Sequence, residues 1–522
     1  MYKPVFLVIL DGWGISPHKD GNAIEQSEIP TISKLDKNYP LLSLQASGIS
    51  VGIPWGEPGN SEVGHTILGS GKIIYQNLPR ITLSIQDKSF FVKPKLLESF
   101  KNIQEHNSSL HIMGLVGEGA VHSSMDHFYA LLEMAATQKV KKLYIHLITD
   151  GRDSSPKVGA DTISKIKGRL ADIGVGKIAT ICGRNWTMDR NNNWDRIEKA
   201  YKMMVDGEGK KITDPVQYLE KSYDKNITDE YIEPGVIEED GEPVGTVKDN
   251  DSIIFFNFRE DRARQITKAF VVPEFKKIKK KNNPKVHFTT MTEYEKDLPV
   301  NVIFPSEKTV NGLGEVLSTH KKNQFRLAET EKYAHVTYFF NGGKEDAFPG
   351  EDRVLVPSPS VSKYDEEPEM SAAKVTQKAL EALELKKYDF LLMNYANADM
   401  IGHTGNLEAA IEAVECVDKS LSILIPKVLK AGGCLLITAD HGNAEEMKDP
   451  YSGQPITEHS SNPVPLWFVT GDNHRDKNES DIVTSKTNIH GLLSDIAPTV
   501  LDIMDIEKPA EMNGESLMDH LK

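Results

Sequence analysis

Thiols are scarce in this chain: its 522 residues include only three cysteines, Cys182, Cys416 and Cys434, an odd and widely spaced set. No disulfide framework or thiolate metal cage can be built from them, which excludes disulfide-stapled secreted domains and Cys-rich zinc modules. Long apolar runs are missing too. The longest are about six residues, such as Val5 to Leu10, against the roughly 20 needed to span a bilayer. Positive charge is in deficit, with 61 Lys and Arg against 76 Asp and Glu and a net charge of −15. That field disfavours nucleic acid and anionic membrane as partners. An anionic small molecule remains open, provided a local cluster of Arg and Lys overrides the global sign. The run Val5–Leu10 is too short for an export signal and leads straight into Asp11-Gly-Trp-Gly, with no small-residue cleavage site. It reads as a first β-strand, and the expected location is cytoplasmic.

Otherwise the composition, 39% hydrophobic and 26% charged, is that of a folded globular chain, and the length suggests two or three domains. Short β-rich apolar runs recur at Val5–Leu10, Leu110–Val116, Leu143–Thr149, Ile178–Cys182, Ser252–Phe256, Val286–Thr290, Val336–Phe340, Phe390–Asn394, Cys434–Thr438 and Leu466–Val469. Between many of them lie helical periodicities, at Met125–Val140, Ala160–Ile173, Trp194–Val205, Met370–Leu385 and Leu407–Leu429. Pro426 is expected to kink or end the last of these. Near-continuous apolar strands alternating with amphipathic helices predict an α/β fold with doubly wound parallel sheets. Gly71–Pro79 and Glu295–Val300 read as connectors, and Glu233–Asp251 as a solvated hairpin or loop. The basic run Lys276 to Lys285 reads as a solvated surface. No internal repeat is present.

Function is signalled by the polar residues at the ends of the strands. Val5–Leu10 runs into Asp11, Leu143–Thr149 into Asp150-Gly-Arg152-Asp153, and Ile178–Cys182 into Gly-Arg184. Ser252–Phe256 runs into Asn257-Phe-Arg259-Glu-Asp-Arg262, and Cys434–Thr438 into Ala-Asp440-His441. Open α/β sheets build their sites at these carboxyl ends. Asp399 and His403 stand four apart after the Phe390 strand, His459 lies in Glu458-His-Ser-Ser, and Ser61 in Pro58-Gly-Asn-Ser-Glu-Val-Gly-His65. Such oxygen and imidazole donors suit borderline or hard divalent ions such as Mn²⁺, Zn²⁺ or Mg²⁺. Three Asp and three His suffice for a metal pair, a recurrent device in phosphoryl transfer. Alone, each motif is as readily an N-cap or a structural pair. A second constellation is positive: Arg152, Arg184, Arg190, Arg259 and Arg262 follow strands, Lys332 precedes the Val336 run, and His122 lies beyond the Leu110 strand. Arg forks match phosphate and carboxylate oxygens, so these residues form a candidate anion pocket.

Taken in order, these stretches resemble the cofactor-independent (2,3-bisphosphoglycerate-independent) phosphoglycerate mutases, within the alkaline-phosphatase-like metalloenzymes. The resemblance rests on Asp11-Gly-Trp-Gly, Gly59-Asn-Ser-Glu-Val-Gly-His65, Asp150-Gly-Arg-Asp153, Cys182-Gly-Arg184 and Met188-Asp-Arg190. It continues through Phe255-Phe-Asn-Phe-Arg259, Asp261-Arg-Ala-Arg-Gln-Ile-Thr267, Glu329-Thr-Glu-Lys-Tyr-Ala-His-Val336, Asn397–Gly405 and Thr438–Glu445, covering essentially the whole chain. Asp399 and Asp440-His441 alone indicate only the wider superfamily; the Arg set and the Glu-Lys-Tyr-Ala-His stretch are specific to the mutases.

The resemblance implies one Mn²⁺ held by Asp399, His403 and His459, and a second held by Asp11, Ser61, Asp440 and His441, with Mg²⁺, Co²⁺ or Zn²⁺ as substitutes and no 2,3-bisphosphoglycerate. It implies Ser61 as nucleophile with Lys332 beside it, and phosphoglycerate bound by His122, Arg152, Asp153, Arg184, Arg190, Arg259, Arg262 and Lys332. A metal-binding, alkaline-phosphatase-like domain would be made from residues 1–76 and 310–522, with a second α/β domain, 77–309, inserted into it and carrying most of the Arg set. The implied reaction is interconversion of 3-phosphoglycerate and 2-phosphoglycerate through phosphoserine 61, in a monomer, with Asp153 or another carboxylate as general base. Departures from the family pattern are Ser124, Ser154-Ser155 and Ser460, none of them a ligand or nucleophile. The competing reading is a metal-dependent phosphomonoesterase of the same superfamily, which needs only the metal set and Ser61 and has no use for the Arg set. A phosphopentomutase-like enzyme and a non-catalytic phosphate-binding module fit these stretches less well.

Overall fold

The computed structural model describes residues 2–307 and 310–522. The chain divides into two compact α/β units, Met1–Gln76 with Glu307–Lys522, and Asn77–Ser306.

The first unit is built on an eight-stranded sheet in the order Glu351–Val356, Gln324–Glu329, Phe390–Tyr395, Val5–Leu10, Cys434–Thr438, Val464–Val469, Leu41–Gln45, Ile489–Leu492. Neighbours are parallel except around Val464–Val469, which is antiparallel to both of its partners. Val5–Leu10 is central and buried along its whole length, which is why its sequence is apolar without alternation. Register then fixes the site. Leu10 lies opposite Tyr395 and Ile9 opposite Thr438, so Asp11 and the segments leading to Asp399 and Asp440 leave the sheet along one edge. Gly12 makes the first of these exits possible: its φ is +74°, and a Cβ there would lie 2.7 Å from the Asp399 backbone.

The second unit carries a sheet in the order Asn301–Phe304, His287–Thr292, Ser252–Phe255, Leu110–Val116, Leu143–Thr149, Lys177–Gly183, Gly235–Glu239, Lys210–Ile212, with Glu242–Pro243 folding back on Gly235–Glu239 as a hairpin. From Asn301–Phe304 to Lys177–Gly183 the strands are parallel. Two apolar clusters pack on this unit, one with Phe128, Leu131, Ile163 and Ile166 of the helices Met125–Thr137 and Gly159–Ile173. The other contains Ile197 and Tyr201 of Trp194–Val205 and Ile266 and Phe270 of Arg264–Val271. Val116 lies opposite Thr149 and Thr149 opposite Gly183, so the segments carrying His122, Asp150 to Asp153 and Arg184 again emerge at one edge.

Four expectations are corrected. Val336–Phe340 is not a strand: the chain is helical through Thr330–Ala334 and continues as a π-type turn over His335–Phe339. Val336 and Phe340, four apart, are buried while Tyr338 between them is exposed, a helical spacing that a five-residue apolar run conceals. Lys332 therefore follows a strand, Gln324–Glu329, instead of preceding one; its polar Gln324, Arg326 and Glu329 break the apolar run although all six residues are buried. Pro426 does not end its helix, which runs Leu407–Lys430. Pro426 and Ser422, whose carbonyl loses its partner, both face solvent, so water takes that hydrogen bond while Leu421, Leu424, Ile425 and Val428 stay packed. Finally, Glu295–Val300 lies within the second unit, between the strands His287–Thr292 and Asn301–Phe304, and not at a crossing between units.

Candidate active site

Ser61 is the first residue of the helix Ser61–Ser70, whose N-cap Asn60 accepts a hydrogen bond from the Val63 amide. A helix N-terminus favours negative charge on the groups it presents. Gly64 lets this helix close on the sheet, since a Cβ there would meet the Asp440 backbone at 2.7 Å. Three groups surround the Ser61 hydroxyl. Lys332 Nζ donates to it at 2.7 Å, and Asp11 Oδ1 and His441 Nε2 stand 3.1 and 2.9 Å away as acceptors for its proton. His441 Nδ1 is 3.3 Å from the Gly442 carbonyl, which orients Nε2 toward Ser61 as a lone pair. Lys332 also donates to Asp11 Oδ1 and Asp399 Oδ2, both at 2.6 Å. All of these residues are buried.

Beside them, His403 Nε2 and His459 Nε2 lie 3.3 and 3.2 Å from Asp399 Oδ1 and 3.0 Å from each other. Each ring donates its Nδ1 proton to a backbone carbonyl, Thr457 for His403 and Gly59 for His459, both at 2.8 Å. Asp440 Oδ2 lies 3.1 Å from His65 Nδ1 and 3.6 Å from His441 Nε2, yet no donor among the described residues is aligned on it.

The electrostatics call for more positive charge than the side chains bring. Among the described residues three buried carboxylates, Asp11, Asp399 and Asp440, face one ammonium, Lys332. Burial and Asp440 raise the pKa of Asp11. Burial opposes ionisation of Asp399 and Asp440 as well, but Lys332 with the imidazoles holds Asp399 well below the usual carboxylate range, and His441 and His65 do the same for Asp440. Lys332 is itself raised, Asp11 and Asp399 outweighing its burial. His403 is raised by Asp399, and His459 is raised by Asp399 against its burial. Among the described residues three groups of donor atoms can each hold a metal ion: Asp399, His403 and His459; Asp11, Asp399 and His441; and Asp11, His65 and Asp440. Converging lone pairs, an undonated carboxylate oxygen and donors of oxygen and imidazole type fit divalent cations of borderline to hard character.

The second unit holds the positive set. Arg184 opens a short helix directly after the strand Lys177–Gly183 and is buried against two carboxylates, donating through Nη1 to Asp150 Oδ1 at 2.6 Å and Asp153 Oδ2 at 2.5 Å. Asp150 is in turn fastened by Ser154 Oγ and the amides of Arg152 and Asp153. His122 is buried with Nε2 3.8 Å from Asp153 and Nδ1 3.6 Å from Asp261, and its carbonyl accepts the Phe258 amide. Burial, with Arg184 adding to it, pushes its pKa down to about 4, so it is a neutral imidazole. Asp261 gathers Arg190 at 2.7 Å and Arg259 at 3.3 Å. Arg262 donates to the Met188 carbonyl, and its pKa is lowered by burial and by Arg184, Arg190 and Arg152. Arg152 lies 3.7 Å from Glu230. The arginines are thus close enough to repel one another, as an anion pocket requires.

Each unit therefore gathers its own share of the expected residues: Asp11, Ser61, Lys332, Asp399, His403, Asp440, His441 and His459 in the first, His122, Arg152, Asp153, Arg184, Arg190, Arg259 and Arg262 in the second. Sequence reasoning assigns no role to several supporting groups. Asn394 donates to Asp11 Oδ2 at 2.7 Å and lies 3.1 Å from His65 Nε2, Asn443 donates to Asp399 Oδ1 at 3.0 Å, and Asp150 and Asp261 hold the arginines. Their one signal is position, each standing within a few residues of the end of an apolar strand.

A family model described as "BPG-independent PGAM N-terminus" matches residues 81–296. The chain is 50% identical over 518 residues to the 2,3-bisphosphoglycerate-independent phosphoglycerate mutase of Clostridium perfringens (strain 13 / Type A), covering 99% of both. Its identity to the protein of the same description from Clostridioides difficile (strain 630) is 49% over 519 residues, again covering 99% of both. Among solved structures it is similar to Leishmania mexicana phosphoglycerate mutase at low cobalt concentration, with a TM-score of 0.51 and 29% identity over 99% of this chain and 97% of that one.

Proposed function

This chain belongs to the family of 2,3-bisphosphoglycerate-independent phosphoglycerate mutases, and from that premise we propose that it interconverts 3-phosphoglycerate and 2-phosphoglycerate through a phosphoserine on Ser61. The observation that carries this reading is Ser61 itself, at a helix N-terminus with its hydroxyl against Lys332, Asp11 and His441. One divalent cation would be held by Asp399, His403 and His459 and another by Asp11, Ser61, Asp440 and His441, Mn²⁺ being our choice. Bound there, such ions make a serine alkoxide accessible at neutral pH and offset phosphoryl charge.

In the first step Ser61 Oγ, its proton given up to solvent on ionisation, attacks phosphorus, the bond to the 3-oxygen of glycerate breaks, and that oxygen takes a proton carried by Asp153. Lys332 Nζ, 2.7 Å from Oγ, holds positive charge against the attacking and transferring oxygens. Glycerate is retained by Arg152, Arg184, Arg190, Arg259 and Arg262, with neutral His122 as a hydrogen-bonding partner. In the second step the 2-hydroxyl attacks phosphoserine 61, Asp153 takes back the proton it gave to the 3-oxygen, and Ser61 leaves as the alkoxide that began the first step. A mutase must keep water from the phosphoserine while glycerate turns, and the arginines give glycerate a reason to stay. The sheets, helices and absence of any helix long and apolar enough to cross a membrane among the described residues accord with a small-molecule enzyme, which we place in the cytoplasm as a monomer.

The test is one assay with two readouts. Protein stripped with chelator receives 3-phosphoglycerate, with or without Mn²⁺ and with no bisphosphoglycerate. Metal-dependent 2-phosphoglycerate with little free phosphate is expected; phosphate release without isomer would make the enzyme a phosphomonoesterase.

A further inference from the structure

Arg326 lies in the middle of the strand Gln324–Glu329 and is wholly buried. Its guanidinium sits over two aromatic rings, 4.7 Å from the centroid of Phe340 and 5.2 Å from that of Phe390. Nη2 donates to Gln324 Oε1 at 2.6 Å, while Nε and Nη1 have no partner among the described residues. Directly opposite in the neighbouring parallel strand stands Arg353. Its Nε donates to Glu351 Oε1 at 2.6 Å and its Nη1 to the Glu345 carbonyl at 2.8 Å, but its Nη2 is buried without a partner among the described residues.

Among the described residues Glu351 is the only carboxylate paired with these groups, and it is already shared: Asn341 Nδ2 and the Phe348 amide also donate to it. Two guanidiniums against one carboxylate leave one buried positive charge uncompensated. A buried N–H without an acceptor is costly, and a buried charge without a counter-charge costs more. Burial accordingly pushes Arg326 down to about 10, with Arg353 adding to the effect and Glu351 opposing it.

Space lies beside residues that touch the pair, Phe340 against Arg326 and Asn341 and Phe348 against Glu351. A cavity of about 580 Å³ is lined by Gly314, Phe340, Asn341 and Phe348 among others. Gly314 keeps the way to the guanidinium open, because a Cβ there would stand 3.1 Å from Arg326 Nη2 and 2.8 Å from Asn341 Oδ1. Asn341 Oδ1 is buried with no donor among the described residues and suits a water accompanying an ion. Glu315 and Lys344 both line this cavity and offset one another, leaving the one excess charge of the arginine pair, short of what a dianion such as phosphate needs.

We propose that Arg326 and Arg353 bind one small monovalent anion of the halide class, at a site sharing no residue with the Ser61 cluster. The single excess charge sets its valence, and the rings of Phe340 and Phe390 limit its size. Its effect is to join two neighbouring strands of the first unit's sheet through a buried counter-ion.

Bromide reports the site directly. Crystals of the full chain soaked in bromide should show an anomalous peak within hydrogen-bond distance of Arg326 and Arg353, and Arg353→Gln crystals soaked alike should lose it. Arg353 is chosen because it sits part-exposed on an edge strand, whereas replacing Arg326 would leave a hole in the core. In solution, with the arginines of the second unit occupied by saturating phosphate, the chloride NMR line should still be broadened by the wild-type chain and should lose that remaining broadening with Arg353→Gln. A wild-type crystal with no anomalous signal there would overturn the proposal. So would a peak that survives Arg353→Gln or that phosphate displaces. Should the variant not fold, the wild-type soak decides alone.

Discussion

Arg184 and Asp150 form an ion pair 2.6 Å long in which the side chains keep only 3% and 1% of their surface exposed. Arg190 and Arg259 also meet a carboxylate, Asp261, but are about half exposed. Arginines that look alike in sequence therefore do different work. Arg184→Met should destabilise the second unit by about 3–5 kcal/mol, because it strands Asp150 in the interior. Arg190→Ala and Arg259→Ala should cost at most about 1 kcal/mol of stability while raising KM for phosphoglycerate roughly tenfold. Urea unfolding and steady-state kinetics on the three variants check this; equal stability losses would contradict it.

Among the described residues, Lys332 is the one ammonium between Asp11, Ser61 and Asp399. Lys332→Met should lower turnover by roughly 10²–10³-fold, the range for loss of a donor aimed at a transition state. Lys332→Arg should not rescue it, since a planar fork cannot reach three acceptors that a compact ammonium reaches. Initial rates at saturating substrate decide the matter, and a variant within tenfold of wild type would refute the assignment.

Ser61→Ala should abolish the phosphoenzyme. Intact-mass measurement after acid quenching with 3-phosphoglycerate is expected to show one added phosphoryl group on the wild type and none on the variant. Metal content after dialysis should remain measurable, because Asp399, His403 and His459 are untouched. Substantial mutase turnover in Ser61→Ala would sink the two-step scheme.

His122 gives a pH dependence with a definite sign. An unfolded imidazole takes its proton near 6.5, the folded one only near about 4. The unfolded state binds more protons in that window, so stability falls as pH drops through it. Between pH 7 and 5 this one residue should cost about 2 kcal/mol. His127 and His146, also depressed by burial, add slopes of their own, so the observable is the difference made by His122→Asn. Unfolding free energies of both proteins at pH 7 and 5 supply it; identical slopes would contradict the buried, neutral His122.

Much of this architecture is legible because the central strands are buried on both faces and so write themselves as unbroken apolar runs. Val5–Leu10, Leu110–Val116 and Leu143–Thr149 have the boundaries their sequences suggest. Asp11, Arg152, Arg184 and Asp440 are visible as polar residues placed just where such runs stop. Gln324–Glu329 is not legible, because Arg326 sits where an apolar residue would ordinarily be, kept there by two phenylalanines elsewhere in the chain. The run Val336–Phe340 misleads for the opposite reason, being apolar enough for a strand yet packed on a helical spacing. Asn394 and His65 cannot be singled out because their roles are made by contacts across more than 300 residues.

The central strand of the first unit has an implication for how the molecule is made. Val5–Leu10 leaves the ribosome before its sheet neighbours, Phe390–Tyr395 and Cys434–Thr438, which are translated hundreds of residues later. The intervening unit, Asn77–Ser306, is contiguous and can acquire its structure as soon as it clears the exit tunnel. A six-residue strand of pure hydrocarbon must meanwhile wait unpaired. During synthesis that nascent segment is where a chaperone would be expected to bind, and the second unit is complete before the sheet of the first can close.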